Sequence, residues 1–178
     1  HFRSTDIWNS ASSSDEFIFS GWFGRYLSNN HPSYPEGYPN NDFIDPLALT
    51  IGNNSSGTCQ GPIINMGMSI KSLTSFPEIK EGEGDVPETP YGHELQYIRT
   101  ASKITNDYFD RLEEAATYGG SSEIEYPDSK LANQLKMVAQ LIAGGLKSKI
   151  FILKTGGFDT HAKQVEAGSP ETGAHPDL

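Results

Sequence analysis

Apolar side chains recur at intervals of three or four residues along a long stretch in the middle of the chain. The stripe runs from Leu95 to Ala115, with polar and charged residues at the positions between. Because one turn of an α-helix takes about 3.6 residues, this spacing places the apolar residues on one side of a helix. We predict a helix over residues 93–118, ended by Gly119 and Gly120, since glycine readily closes a helix at its C-terminus.

A second helical stripe follows a short distance later. Its apolar members are Leu131, Leu135, Val138, Leu141 and Ile142. The pattern predicts a helix over residues 129–146, with Asp128 or Ser129 as the N-cap, because a side-chain oxygen there accepts a hydrogen bond from a free backbone N–H. A Gly-Gly pair at 144–145 indicates close packing against a sheet or early termination.

Two short apolar runs have the composition of β-strands. Residues 150–153 read Ile-Phe-Ile-Leu and are bounded by lysines and then by a Gly-Gly pair, which predicts a buried, central strand. Residues 47–51 form a second predicted strand, and residues 53–57 a turn after it.

The other segments give weaker patterns. Residues 21–27 predict a short helix. Residues 31–45 are rich in proline and predict a loop, residues 62–70 are apolar without a clean period, and residues 71–90 are acidic and predict a solvated loop.

A helix, a tight turn, a buried strand and then polar side chains form an order that is typical of an α/β fold. In open α/β sheets, ligands bind outside the carboxyl ends of the strands. Asp159 and His161 come just past the end of the strand predicted at 150–153. The sequence therefore predicts an α/β fold with a candidate site at this end of the sheet.

Asp159 and His161 have two chemical interpretations. A carboxylate oxygen and a neutral imidazole nitrogen are a mixed ligand set that divalent zinc, manganese or iron accepts, and in an extended backbone the two residues lie roughly 6.5 Å apart on the same side. Alternatively, Asp159 caps a helix that starts near Thr160, and His161 is exposed in its first turn. The spacing alone leaves both interpretations open.

The first residues of the chain are dense in reactive side chains. Arg3 has a planar guanidinium that can hold an anionic group with two hydrogen bonds, and His1 can be a ligand or a proton-transfer group. In the structural alternative, Arg3 pairs with Asp6 while Phe2 and Trp8 pack. Arg3 is thus a candidate anion-binding residue.

Composition excludes several classes of function. Thirteen Lys and Arg against 23 Asp and Glu give a net charge of -10, which argues against a nucleic-acid partner. Cys59 is the single cysteine, so the chain contains no internal disulfide and no cysteine-rich zinc site. Since no apolar stretch approaches about 18 residues, we expect no transmembrane span. No signal peptide is visible, and a start at His1 rather than Met leads us to expect a processed, truncated or partly observed chain.

Four blocks of the sequence resemble the DUF1501 family. They lie at residues 1–8, 21–27, 131–146 and 156–161, in the same order as in the family, and the last reads Gly-Gly-Phe-Asp-Thr-His. The family consists of exported bacterial proteins, mostly uncharacterised, that are grouped with the alkaline phosphatase and sulfatase superfamily.

The resemblance implies an alkaline phosphatase-like α/β domain, with a mostly parallel sheet flanked by helices. Asp159 and His161 match the family's Gly-Gly-x-Asp-Thr-His block and are implied metal ligands. Family members begin earlier, with another strand, and continue further. Residues 1–178 are therefore expected to be part of a single domain that lacks its first strand and its C-terminal part. No residue matches the position of the superfamily's nucleophile, so the catalytic residues are unknown.

Two functions follow as expectations. The first is a metal-dependent hydrolase of phosphate or sulfate esters, with divalent ions such as zinc or manganese as cofactors and a small anionic ester as substrate. The second is a non-catalytic scaffold or subunit with protein partners in a larger cell-envelope assembly. The resemblance implies a periplasmic or extracellular location for both. A carbohydrate-binding module fits less well because helices carry so much of the chain.

Overall fold

The computed structural model describes residues 3–80, 82, 84–121, 123–156, 165, 167, 169 and 171–173. Helices and strands alternate irregularly along this part of the chain. In order they are α1 (Ser4–Ser10), α2 (Trp22–Asn30), β1 (Ala48–Ile51), a 3-10 turn (Gly57–Cys59), β2 (Met68–Ile70), α3 (Pro90–Gly119), α4 (Lys130–Ala143) and β3 (Ile150–Leu153).

The three described strands form one parallel sheet in the order β2-β1-β3. Every residue of β1 is buried, whereas every residue of β3 is partly exposed. The prediction that residues 150–153 form the central strand is wrong for the described sheet. β1 is central because it pairs on both sides, with Leu49 opposite Met68 on one side and Phe151 on the other.

Helices α3 and α4 cover one face of this sheet. Leu112 and Leu141, both without exposed surface, pack with Leu49 and Ile51 of β1 in one hydrophobic cluster. Residues two apart in a strand point to the same face, so β1 presents these two side chains to the helices. This contact explains why β1, α3 and α4 each carry apolar side chains at the positions where they meet.

Helix α2 and the loop that follows it cover the other face. Leu27 of α2 packs with Ala48 of β1 and with Cys59, and Ile152 of β3 contacts the same cluster. A parallel sheet with both faces covered is the usual arrangement in α/β proteins.

Asp45 ties the start of this sheet to both helices. Its carboxylate lies 2.8 Å from Nε of Arg111 on α3 and accepts a hydrogen bond of 2.9 Å from the backbone N–H of Lys147. Arg111 also donates to the carbonyl oxygen of Gly145, just after α4. One buried carboxylate therefore joins three segments that are distant in sequence.

The two long helices confirm the predictions from periodicity, with shifted ends. Helix α3 begins three residues earlier than predicted because Thr89 accepts a hydrogen bond from the backbone N–H of Gly92 and caps it. Ser129, rather than Asp128, caps α4. Helix α4 ends at Ala143, so the Gly-Gly pair at 144–145 terminates it early.

Two elements are absent from the predictions. Strand β2 has only three residues, too few for an alternating pattern to stand out, and pairing with β1 defines it. Helix α1 lies in the reactive N-terminal segment. It is held in part by Arg25 of α2, which donates to the carbonyl oxygen of Ser10 at 2.7 Å.

The described chain is thus a mixed α/β structure with a small parallel sheet and flanking helices, as predicted at that level. None of the helices in the described ranges is long and apolar enough to cross a membrane.

Candidate functional site

A cleft of about 730 Å³ opens at the carboxyl ends of the strands. Its lining includes Gly52 after β1, Lys71 after β2, Lys154 after β3 and Ser129 at the start of α4. The ends of three parallel strands and the beginning of one helix therefore meet around a single space.

The strand order makes this edge a natural binding place. From β1 the chain moves to β2 on one side, and after α3 and α4 it returns as β3 on the other side of β1. The strand order therefore reverses between β1 and β3, and ligands of α/β proteins bind at such a point, in the crevice outside the carboxyl ends of the strands.

Gln134 fixes the geometry of the cleft. Its side-chain amide donates to the carbonyl oxygen of Lys154 at 3.2 Å and accepts from the backbone N–H of Lys154 at 3.1 Å. The side chain is buried, with 8% of its surface exposed, and it pairs with the backbone as a neighbouring strand would. Gln134 thereby holds the N-terminal half of α4 against the end of β3.

Thr50 supports the loop that follows β1. Its hydroxyl accepts a hydrogen bond of 3.2 Å from the backbone N–H of Ser56, and its side chain is 2% exposed. The segment 52–55, which includes Asn53 and Asn54 at the cleft, is therefore anchored to the central strand at its far end.

The cleft collects positive charge on an acidic protein. Lys71, Lys130 and Lys154 line it, with Asp128 as the acidic residue among the described residues of the lining, although the chain as a whole carries a net charge of -10. Lys130 is the first residue of α4, and no acidic residue lies in the first turn of that helix. A cation at this position is unfavourable because the N-terminus of a helix is itself partially positive.

An anion bound in the cleft would offset the repulsion between Lys130 and the N-terminus of α4. Backbone N–H groups at a helix N-terminus and nearby ammonium groups both interact favourably with phosphate, sulfate or carboxylate. The arrangement can thus bind a small anion and neutralise its charge, which is the chemistry required for recognition of an anionic ester.

Asp159 and His161 lie outside the described residues, so their predicted role as metal ligands stays a prediction. They follow Lys154, the last cleft residue along the chain, by five and seven positions. Within the described ranges, no group of three or more His, Cys, Asp or Glu side chains is placed to hold a metal ion.

Arg3 lies in a different place from the cleft. Its guanidinium donates to the carbonyl oxygens of Ser14 and Glu16, at 3.2 and 2.6 Å, and lies 4.8 Å from the centre of the Phe17 ring. These contacts hold the loop after α1, and they differ from the expected pairing with Asp6. Trp8 is 79% exposed, so the prediction that it packs is wrong. Anion binding by Arg3 stays a prediction.

Sequence reasoning missed the cleft lysines. Lys154 directly follows the strand predicted at 150–153. Lys71 precedes Lys154 by more than eighty positions, and its neighbours in the sequence gave no sign of a site. Gln134 gave a weak signal, since it is a polar residue close to the apolar stripe of α4.

No protein-family model, curated protein or solved structure matches this chain. Membership of the DUF1501 family therefore stays a prediction.

Proposed function

We propose that this protein is a metal-dependent hydrolase of phosphate or sulfate esters and that the cleft at the carboxyl ends of the strands binds the anionic group of the substrate. The observation that carries the proposal is the meeting of Lys71, Lys130 and Lys154 with the N-terminus of α4 at this edge. Three cations beside a helix N-terminus suit an oxyanion better than a neutral ligand.

The cleft residues have different roles in this proposal. The lysines attract the ester and offset charge that grows on its oxygens during the reaction. Gln134 keeps Lys154 in place through its two hydrogen bonds to the backbone. Ser129 caps the N-terminus of α4 by accepting a hydrogen bond from the backbone N–H of Ala132, and the start of this helix lines the cleft.

Asp159 and His161 hold the divalent metal ion in this proposal. A carboxylate and an imidazole suit zinc or manganese, and a complete site needs one or two further protein ligands in addition to this pair. When bound, the metal would supply a Lewis acid for the ester oxygens and an activated nucleophile. An alkaline phosphatase-like domain, membership of the DUF1501 family and an exported location belong to the same proposal.

Metal content and hydrolysis of p-nitrophenyl phosphate and p-nitrophenyl sulfate, measured on the same preparation, test the proposal. We expect about one or two zinc or manganese ions per chain and measurable release of p-nitrophenol. Asp159→Asn should lose metal and reduce hydrolysis by at least about a hundredfold, because the substitution removes a charged ligand. Asp110→Asn, which changes an exposed carboxylate on α3, should behave like the wild type.

A folded protein that contains no metal after incubation with zinc and manganese, and that hydrolyses neither ester, would contradict the proposal. Metal retained in full by Asp159→Asn would contradict the assignment of this ligand.

Exposed aromatic side chains near the N-terminus favour the second candidate function, a scaffold or subunit of an envelope assembly. Trp8 is 79% exposed, Phe19 87% and Phe17 56%. Side chains of this size on a surface are typical of protein contacts. If the chain has this function, a Trp8→Ser variant should be recovered from the cell envelope in smaller complexes, while its metal content should not change.

A further inference from the structure

A second crevice lies at the amino-terminal end of β2, at the opposite end of the strands from the cleft. Its inner part has a volume of about 430 Å³ and is bounded by Gly67 and Met68 on one side and by Ile104 and Tyr108 of α3 on the other. This volume falls within the range of about 300–1,000 Å³ that is usual for small-molecule sites. The inner part and the cleft have no described lining residue in common.

An outer part extends this crevice toward solvent. It has a volume of about 540 Å³ and shares five lining residues with the inner part: Tyr34, Pro35, Ile63, Ile64 and Tyr97. Glu36 and His93 line the outer part only. The two parts together make a path from the surface to Tyr108.

The side chain of Tyr108 carries a buried hydroxyl group. It is 2% exposed, and among the described residues its hydroxyl has no hydrogen-bond partner. Burial raises the pKa of this phenol, and the neighbouring phenols of Tyr34 and Tyr38 and carboxylates of Asp45 and Asp107 raise it further. The hydroxyl is therefore a neutral donor, and a buried donor without an acceptor is costly.

The polar side chains of Asn65 and Thr105 at the inner end are already engaged. The side-chain amide of Asn65 donates to the carbonyl oxygen of Ser56 and accepts from the backbone N–H of Gly67. The hydroxyl of Thr105 donates to the carbonyl oxygen of Ala101. Among the described residues of this lining, Tyr108 is the buried phenol without an acceptor, whereas Tyr34 and Tyr97 are more exposed.

The charges around the crevice exclude an anion as its preferred ligand. Among the described residues, no Lys or Arg lines either part, and the ionisable side chains in the lining besides tyrosine are Glu36 and His93, both in the outer part. Burial also raises the pKa of Tyr34, to about 12, so this phenol stays neutral as well. An anion placed beside Tyr108 would lose its hydration without gaining a counter-charge.

We propose that this crevice is a second binding site, for a small uncharged molecule with an apolar body and an oxygen acceptor that takes the hydrogen bond of Tyr108. Ile64, Met68 and Ile104 would contact the body of the ligand, and the acceptor would lie at the inner end. The site is separate from the proposed hydrolytic cleft and does not depend on its activity.

Acetophenone, ethylbenzene and benzoate test the proposal as probes, because they share a ring and differ in the group beside it. Titration of the ¹⁵N-labelled chain should show that acetophenone shifts the backbone amide signals of Gly67, Ala101 and Thr105 and that benzoate binds more weakly. Tyr108→Phe should weaken acetophenone binding by about tenfold, the usual effect of one hydrogen bond, and leave ethylbenzene binding unchanged.

Two further variants keep the test specific. Tyr118→Phe removes the hydroxyl of an exposed tyrosine on the same helix and should not change any affinity. Ala101→Leu adds bulk in the inner part, on a helix that accepts leucine, and should abolish binding of both acetophenone and ethylbenzene. The proposal is overturned if acetophenone shifts none of these signals at its solubility limit, or if Tyr108→Phe binds it as tightly as the wild type.

Discussion

His31 is a buried imidazole at the end of α2. It is 7% exposed, its Nδ1 lies 3.0 Å from the hydroxyl of Tyr38, and its ring meets that of Phe43 edge to face. Burial lowers the pKa of His31, and the positive charge of Lys149 lowers it further. The aromatic cluster around this side chain closes the face of the sheet opposite α3 and α4.

The lowered pKa of His31 makes stability depend on pH. Above about pH 6.5 the imidazole is neutral in the folded and the unfolded chain, and its contribution to stability is complete. As pH falls from 6.5 toward the folded-state pKa, the unfolded chain takes up a proton that the folded chain does not, so the free energy of unfolding falls. We expect a slope of up to about 1.4 kcal/mol per pH unit from this residue.

Urea denaturation at several pH values between about 5 and 8 measures this slope. His31→Asn should reduce it, whereas His93→Asn, which changes an exposed histidine, should leave it as in the wild type. An equal slope in the wild type and His31→Asn would contradict the prediction.

At the scale of elements, glycine sets the contact between α3 and α4. A Cβ atom added to Gly144 would lie 1.8 Å from the carbonyl oxygen of Ala115, and one added to Gly119 would lie 1.9 Å from that of Gln140. The two helices approach each other most closely near these glycines, where Ala115 is fully buried. The Gly-Gly pairs that suggested helix ends in the sequence therefore also serve helix packing.

Gly144→Ala should destabilise the protein by about 1–3 kcal/mol, because the added methyl group forces the helices apart. Its backbone φ of -78° suits alanine, so the expected loss comes from the contact alone. Gly52→Ala is the matched control, since a Cβ there meets no atom within 4 Å, and we expect a change of no more than about 0.5 kcal/mol. Equal unfolding midpoints in urea for the two variants would contradict this account.

Long elements with a regular pattern of apolar residues were predictable from the sequence, and short ones were not. The stripe of α3 continues over a helix of 30 residues, about 45 Å, so a few misleading positions did not obscure it. Strand β2 has 3 residues and takes its conformation from β1. Such a strand is defined by hydrogen bonds to a partner that is distant in sequence, which a local pattern cannot reveal.

At the scale of the whole molecule, the chain is acidic and the cleft is basic. The net charge of -10 repels anions in general, whereas Lys71, Lys130 and Lys154 concentrate positive charge at one edge of the sheet. An oxyanion that binds the folded cleft and not the unfolded chain must stabilise the protein by mass action.

Phosphate and sulfate should therefore raise the melting temperature more than sodium chloride of equal ionic strength. A tenfold excess over the dissociation constant corresponds to about 1.4 kcal/mol of added stability. Lys154→Gln should lose most of this gain, and Lys103→Gln, which removes an exposed lysine on α3, should retain it. The same increase in chloride, or in Lys154→Gln, would show that the cleft does not select oxyanions.

The sequence by itself determined the α/β class, the two long helices and the strands at 48–51 and 150–153, because apolar periodicity and helix caps are local properties. It also indicated the edge of the sheet at which polar side chains gather. Only the tertiary structure decided that β1 is central, that Lys71 and Lys154 share a cleft, and that Tyr108 is buried beside a crevice. These facts depend on which distant segments pack together, and that is set by the whole core rather than by any one stretch of residues.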